Sequence, residues 1–193
     1  LCSGDLLMIV RNNYYWTERE QAAIRESVSK GEPAQPLPVS FLANGDRAVV
    51  ERVRNIRELY GFRFADVWLR FPDYDDYEMQ VTVNMDSLLT EAPALTLDQS
   101  EQLFNQVMED YVDLKTKTER LRAVKNDAYF NALQVKFAYA VTCHKAQGGQ
   151  WSHVYVDQGY MTDDMVNADY YHWLYTAFTR ATEKLYLVNW KNG

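Results

Sequence analysis

The chain has 193 residues, of which 47% are hydrophobic and 14% aromatic, with a formal net charge of -7. That composition supports a buried core in one or two domains and excludes a disordered chain. The acidic balance excludes broad electrostatic attachment to nucleic acid, so any contact with DNA must be a local channel.

The longest apolar runs, such as Leu6 to Val10, are far too short to span a bilayer, and the amino end lacks the basic and apolar regions of a signal peptide. A soluble cytoplasmic protein without membrane association is expected. Cys2 and Cys143 are far apart and in no CxxC arrangement, which suggests neither a disulfide framework nor a zinc site. Leu1 is not an initiator Met, and Gly4-Asp5 leads straight into an apolar run, so the chain is expected to begin in mid-protein.

Asp5 to Arg11 is apolar with little interruption and is followed by turn residues Asn12-Asn13, which predicts a buried strand. From Thr17 to Lys30, the capping-box spacing of Thr17 and Glu20, the apolar Ala22, Ala23, Ile24 and Val28, and the stop at Gly31 predict a short helix. Pro33, Pro36 and Pro38 then favour an extended linker, with a boundary near residue 40. Asn44-Gly45-Asp46 predicts a turn before strands at Ala48 to Val53, Phe62 to Phe71 and Glu78 to Val83. Several short strands in so small a span suit a small barrel.

Thr96 and Gln99 again have capping-box spacing, and Leu97, Phe104, Val107, Met108, Tyr111, Leu114 and Leu121 predict one long amphipathic helix. Strands are then expected at Val135 to Val141, Trp151 to Asp157 and Leu185 to Trp190, with helical segments near Thr162 to Asn167 and Tyr171 to Ala181. That alternation implies an α/β layer. Order along the chain suggests one α/β domain interrupted by a β-rich insertion.

Two segments carry chemistry. In Ala140 to Trp151 a strand ends in a polar loop holding Thr142, His144, Lys145 and Gln147, with Gly148 and Gly149 allowing close backbone approach to a ligand. Hydroxyl, imidazole and ammonium donors suit a polyanion, although a plain strand-to-loop bend has the same look. In Trp173 to Val188 an apolar helix ends in Thr176, Thr179 and Arg180 and runs into a strand. A fixed guanidinium there can set two donors against a γ-phosphate. The alternative is a surface Arg paired with Glu183 three residues on.

The ordered pair TxHxxQGxxW and YTAxTRAxxxLxLV resembles motifs V and VI of superfamily 1 helicases, specifically the RecD-like branch. Gly4 to Asn13 and Asn44-Gly45-Asp46 resemble the strand before, and the turn opening, the SH3-like barrel inserted in that branch's second RecA-like domain. The resemblance implies an α/β, partial RecA-like (P-loop NTPase type) second motor domain interrupted by a small SH3-like β-barrel. Residues 1–15 would be its first segment, 16–40 a linker with a short helix, 41–95 the barrel, 96–130 a helical connection, and 131–193 the RecA-like domain with both motifs.

The same resemblance implies that Thr142 and His144, with Lys145 beside them, meet the single-stranded DNA backbone. It places Gln147, Gly148 and Gln150 by the nucleotide cleft and Arg180, the candidate catalytic residue, at the γ-phosphate. Many relatives carry a carboxylate where Gln150 stands, and a neutral amide cannot supply that charge. ATP and Mg²⁺ are the implied cofactors, held mainly by an upstream RecA-like domain of the same protein, because GxxxxGK[ST] and a Mg²⁺-binding strand end are absent from this sequence. The chain by itself is therefore expected to be inactive. The implied whole is an ATP-dependent DNA helicase moving 5′ to 3′ along single-stranded DNA. The alternatives are a non-catalytic nucleic-acid-binding or docking module and a RecD-type subunit of an exonuclease V complex.

Other candidates read as structure. His153 and His172 have no metal spacing with His144, and Cys143 is most simply a small buried side chain rather than a nucleophile. The aromatic set Tyr60, Phe62, Phe64, Trp68 and Phe71 could stack bases but is expected to be barrel core. The acidic run Asp73 to Glu78 is expected at a solvated hairpin tip, with no metal site.

Overall fold

A computed structural model describes residues 1–190. The chain divides into two compact units, Leu1–Tyr139 and a second beginning at Ala140.

In the first unit, β1 (Leu6–Ile9), β2 (Arg47–Leu59), β3 (Phe62–Phe71), β4 (Tyr77–Asn84) and β5 (Leu133–Phe137) close into a barrel in that order. Closure pairs every strand on both sides and removes free edges. Along β3, Ala65, Val67, Leu69 and Phe71 point into the barrel, and β4 adds Met79, Val81 and Val83. Each of the larger of these side chains stabilises the fold by about 1.5–3 kcal/mol relative to exposure. Phe62 and Phe64 are instead buried on the opposite face, and the half-buried Trp68 shares that outer side, so the expected aromatic barrel core is corrected to Phe71 alone of the β3 aromatics. The turn Asn44-Gly45-Asp46 enters β2. Gly45 has φ +107° and donates to the Ile9 carbonyl, while the Asp46 carboxylate accepts from the Ala43 amide at 2.7 Å.

The interrupted-domain expectation is corrected here. The strand in 1–15 is not part of an α/β sheet: β1 lies inside the barrel, antiparallel to both β2 and β5, with Leu7 opposite Ala48 on one side and Phe137 on the other. Leu7 and Ile9 have no solvent exposure. An unbroken apolar run reads alike for a buried parallel strand and for a strand that seals a barrel. Likewise β5 completes the barrel, so this module draws on residues well outside 41–95, and the α/β region starts at Ala140 instead of 131.

The predicted short helix is α1 (Tyr15–Ser29), longer than expected and begun earlier. Its first turn is held by Asn13, whose side-chain oxygen accepts from the Trp16 amide, while Thr17 is buried and donates to the carbonyls of Tyr14 and Ser40. Thr17 therefore anchors the chain after the proline segment instead of capping. The long helix is broken into α2 (Leu97–Glu109) and α3 (Lys117–Lys125). Both start with a reciprocal capping box, Thr96 with Gln99 and Thr116 with Glu119. The second box starts a new helix where periodicity alone continued the first. Leu103, Val107 and Val124 pack with Phe62 and Phe64 in a second apolar cluster.

The acidic run sits at the β3–β4 turn, with Asp75 and Asp76 both in left-handed backbone. Two of its four carboxylates are engaged: Asp73 pairs with Arg47 at 2.7 Å and Asp76 with Arg70. No cluster able to hold a metal occurs among the described residues. Nor is any helix among them long and apolar enough to cross a membrane.

Asp66 on β3 accepts from both terminal nitrogens of Arg57, at 3.0 and 2.7 Å, and from Asn55 and Thr82. The Arg57 hydrogen bonds hold its carboxyl below the usual carboxylate range. A depressed folded-state value means that this stability is present above the unfolded pKa, near 3.9, and is lost as pH falls through the lower folded value. Asp66→Asn, which keeps the shape and loses the charge, is expected to destabilise the protein by about 1–2 kcal/mol at neutral pH. The difference from wild type should shrink toward zero in urea unfolding series carried into strong acid, and a gap that is constant with pH would contradict this account.

The second unit is a strand, helix, strand arrangement: β6 (Trp151–Asp157), α4 (Ala168–Phe178) and β7 (Ala181–Val188). The two strands are parallel, with Val154 opposite Leu185 and Val156 opposite Leu187, and a parallel pair requires such a crossover. The expected helix near Thr162 to Asn167 is a single short turn, Asp163–Met165. Leu185–Val188 thus shares a sheet with β6 and not with β1 or β5.

Candidate functional site

The loop from Thr142 to Gln150 precedes β6 and folds as consecutive turns. The Ala146 amide donates to the Thr142 and Cys143 carbonyls, Gln147 to His144, and Gly149 to Ala146, while the Thr142 hydroxyl accepts from the Lys145 amide at 3.4 Å. Ala146 is the buried pivot. Thr142, His144, Lys145, Gln147, Gly148 and Gln150 are all exposed around it.

Both glycines have a steric reason. Gly148 sits at φ +84°, in the left-handed region that disfavours side chains. A Cβ on Gly149 would come within 2.4 Å of the Trp151 indole. Trp151 therefore lies directly on the loop backbone and fixes where the loop meets β6.

Arg180 joins this loop to the end of α4. Its Nε donates to the Thr176 carbonyl, one terminal nitrogen to the Gly149 carbonyl and the other to the Thr179 hydroxyl, each at 3.0 Å. Thr179 in turn donates to the Tyr175 and Thr176 carbonyls, and the Trp151 amide donates to the Arg180 carbonyl at 2.9 Å. A guanidinium has five N–H donors, and three are used here, leaving two for a further acceptor. The surface pairing with Glu183 is not what forms: Glu183 lies 3.8 Å from His153, with both side chains largely exposed.

Gln150 reaches only to the Thr179 carbonyl, at a long 3.4 Å. Cys143 is half-buried with its thiol against the Trp173 carbonyl. Burial raises its pKa, and the nearby Arg180 cation opposes that shift without cancelling it, so the thiol stays neutral and unreactive. The structure thus gathers Thr142 through Gln150 and Arg180 at one end of the strand, helix, strand unit. Sequence reasoning missed Thr179 and Trp151 as supports of the site, although both fall within the quoted motifs.

Both motif segments fall inside a stretch with a recognised counterpart. Residues 137–188 match the UvrD-like helicase C-terminal domain. That match supports a superfamily 1 helicase C-terminal region over those residues and suggests a helicase-family function. No curated protein matches the chain. The helicase-type segment thus covers the whole of β6, α4 and β7 together with the loop that Arg180 holds.

Proposed function

We propose that this chain is the C-terminal part of an ATP-dependent DNA helicase of the RecD-like branch, in which its α/β unit belongs to the second RecA-like motor domain. The observation that carries the reading is the position of Arg180, held by Thr176, Gly149 and Thr179 with two donors to spare. A guanidinium fixed by three hydrogen bonds meets the charge that spreads over γ-phosphate oxygens during phosphoryl transfer without having to reorganise. Because the same side chain grips the Gly149 carbonyl, any shift of Arg180 toward nucleotide moves the loop bearing Thr142 and His144. That link is a physical route from hydrolysis to movement along DNA.

In this reading Thr142, His144 and Lys145 contact the single-strand backbone, and Gln147, Gly148 and Gln150 border the nucleotide. A phosphate-binding loop and Mg²⁺ ligands come from an upstream RecA-like domain. Among the described residues the parallel sheet has two strands, with Tyr155 and Leu187 exposed, which supports further strands beside it in the whole protein, since parallel sheets are stable when more strands and layers cover them. Movement from 5′ to 3′ and duplex unwinding belong to the same proposal.

The loop assignment is tested in the whole protein by Thr142→Ala with His144→Ala. Both side chains donate to phosphates without reading bases, so single-strand affinity is expected to fall by about tenfold, and equally for every base composition. A loss confined to one composition, or unchanged affinity, would remove these residues from the DNA path.

A further inference from the structure

The barrel carries a cationic feature of its own. Six arginines lie on β2 and β3, and four of them are neutralised: Arg47 by Asp73, Arg57 by Asp66, Arg63 by Asp86, and Arg70 by Glu51 and Asp76. Arg52 and Arg54 have no carboxylate partner among the described residues. Instead both guanidiniums lie over the Trp68 ring, at 5.5 and 5.8 Å from its centroid.

Backbone geometry sets this up. The β2–β3 register shifts between Val50 and Arg52 and again between Arg54 and Arg57, so a short regular stretch is bracketed by bulges. Within it Arg52 is opposite Trp68 and Arg54 opposite Asp66, while Val53 faces the buried Val67. Strand alternation therefore sends Arg52, Arg54 and Trp68 to the outer face together. Bulges of this kind aim side chains at binding surfaces.

We propose that Arg52, Arg54 and Trp68 form a nucleic-acid platform on the barrel wall, taking a single strand of DNA through its phosphates and one base or sugar face. Two cations without counter-ions, on a chain whose net charge is -7, mark the patch as complementary to a polyanion. The two arginines are spaced by about 7 Å along the strand, the scale of one nucleotide in an extended chain. The indole with both guanidiniums over its ring distinguishes a nucleotide from a purely acidic peptide, because a base gains from stacking on guanidinium and aromatic planes and a carboxylate does not. Neighbouring Asp66 and Glu51 do not repel the strand, since Arg57 and Arg70 already hold them.

The test uses the 193-residue chain, a fluorescent oligothymidylate, and anisotropy titrations across a salt series. Arg52→Gln with Arg54→Gln is expected to weaken binding about tenfold and to reduce the salt slope by about 1.4, at about 0.7 for each lost phosphate contact. Trp68→Ala should weaken binding by a similar factor and Trp68→Phe by much less. The arginine variant leaves the core untouched, and an unchanged melting curve would show that the fold is intact. In NMR spectra the Trp68 indole N–H should shift with oligothymidylate in wild type and also in Thr142→Ala with His144→Ala, which separates this platform from the loop. Wild-type affinity and salt slope in the arginine variant would overturn the proposal. So would a Trp68 signal that moves with polyglutamate and stays still with oligothymidylate, which would assign the patch to an acidic protein partner.

Discussion

Replacing Arg180 with Ala in the whole protein is expected to cut ATP turnover on the order of a hundredfold or more, at the lower side of arginine-finger effects. Two losses combine in that variant. The transition state loses a guanidinium whose two remaining donors are available to phosphate oxygens, and the loop loses its tie through the Gly149 carbonyl. Nucleotide and DNA affinities should change far less, because in the proposed assembly the phosphates and the strand keep most of their other contacts. Lys at this position should rescue poorly. An ammonium keeps the charge but cannot hold Thr176, Gly149 and Thr179 from one planar fork while still facing a ligand. Turnover near wild type in the Ala variant would reduce Arg180 to a brace between α4 and the loop.

Ile9→Ala is expected to cost about 2–5 kcal/mol in denaturant unfolding. Ile9 is fully buried, lies opposite Val135 on β5, and exchanges backbone hydrogen bonds with the Asn44-Gly45-Asp46 turn at the start of β2. Truncation there opens a cavity at the seam where the barrel closes. Spectral probes of the barrel, such as Trp68, should report the loss. A cost below about 1 kcal/mol would mean that β1 is not a closing strand.

The bounds of β3 and β6 were legible in the sequence, because Phe62 to Phe71 is rich in aromatic and branched residues between the Tyr60-Gly61 turn and Pro72, and Trp151 to Asp157 is bounded by Gly149 and Gly159. The change of face between Phe64 and Ala65 was not. The capping box at Thr96 was equally plain. The place of β1 was not, since a four-residue strand buried on all its neighbours' sides carries no alternation to say which sheet owns it. Its two partners, residues 47–49 and 135–137, are remote in sequence and became visible only as pairing. The break after α2 was hidden because Tyr111 and Leu114 continue the apolar period through a turn. At the site, the types and order of Thr142, His144, Gly148, Gly149 and Arg180 could be read from the motifs. What could not be read was that Arg180 spans from helix end to loop carbonyl, a contact between residues 31 positions apart.

In the proposed function this α/β unit couples nucleotide hydrolysis to a single strand through Arg180 and the loop it holds. The direct measurement is steady-state ATP hydrolysis by the whole protein, wild type and Arg180→Ala, with and without single-stranded DNA. Turnover strongly stimulated by the strand is expected in wild type, with both rates collapsed in the variant and nucleotide binding retained. Wild-type turnover indifferent to single-stranded DNA, or a variant that keeps the stimulated rate, would contradict it.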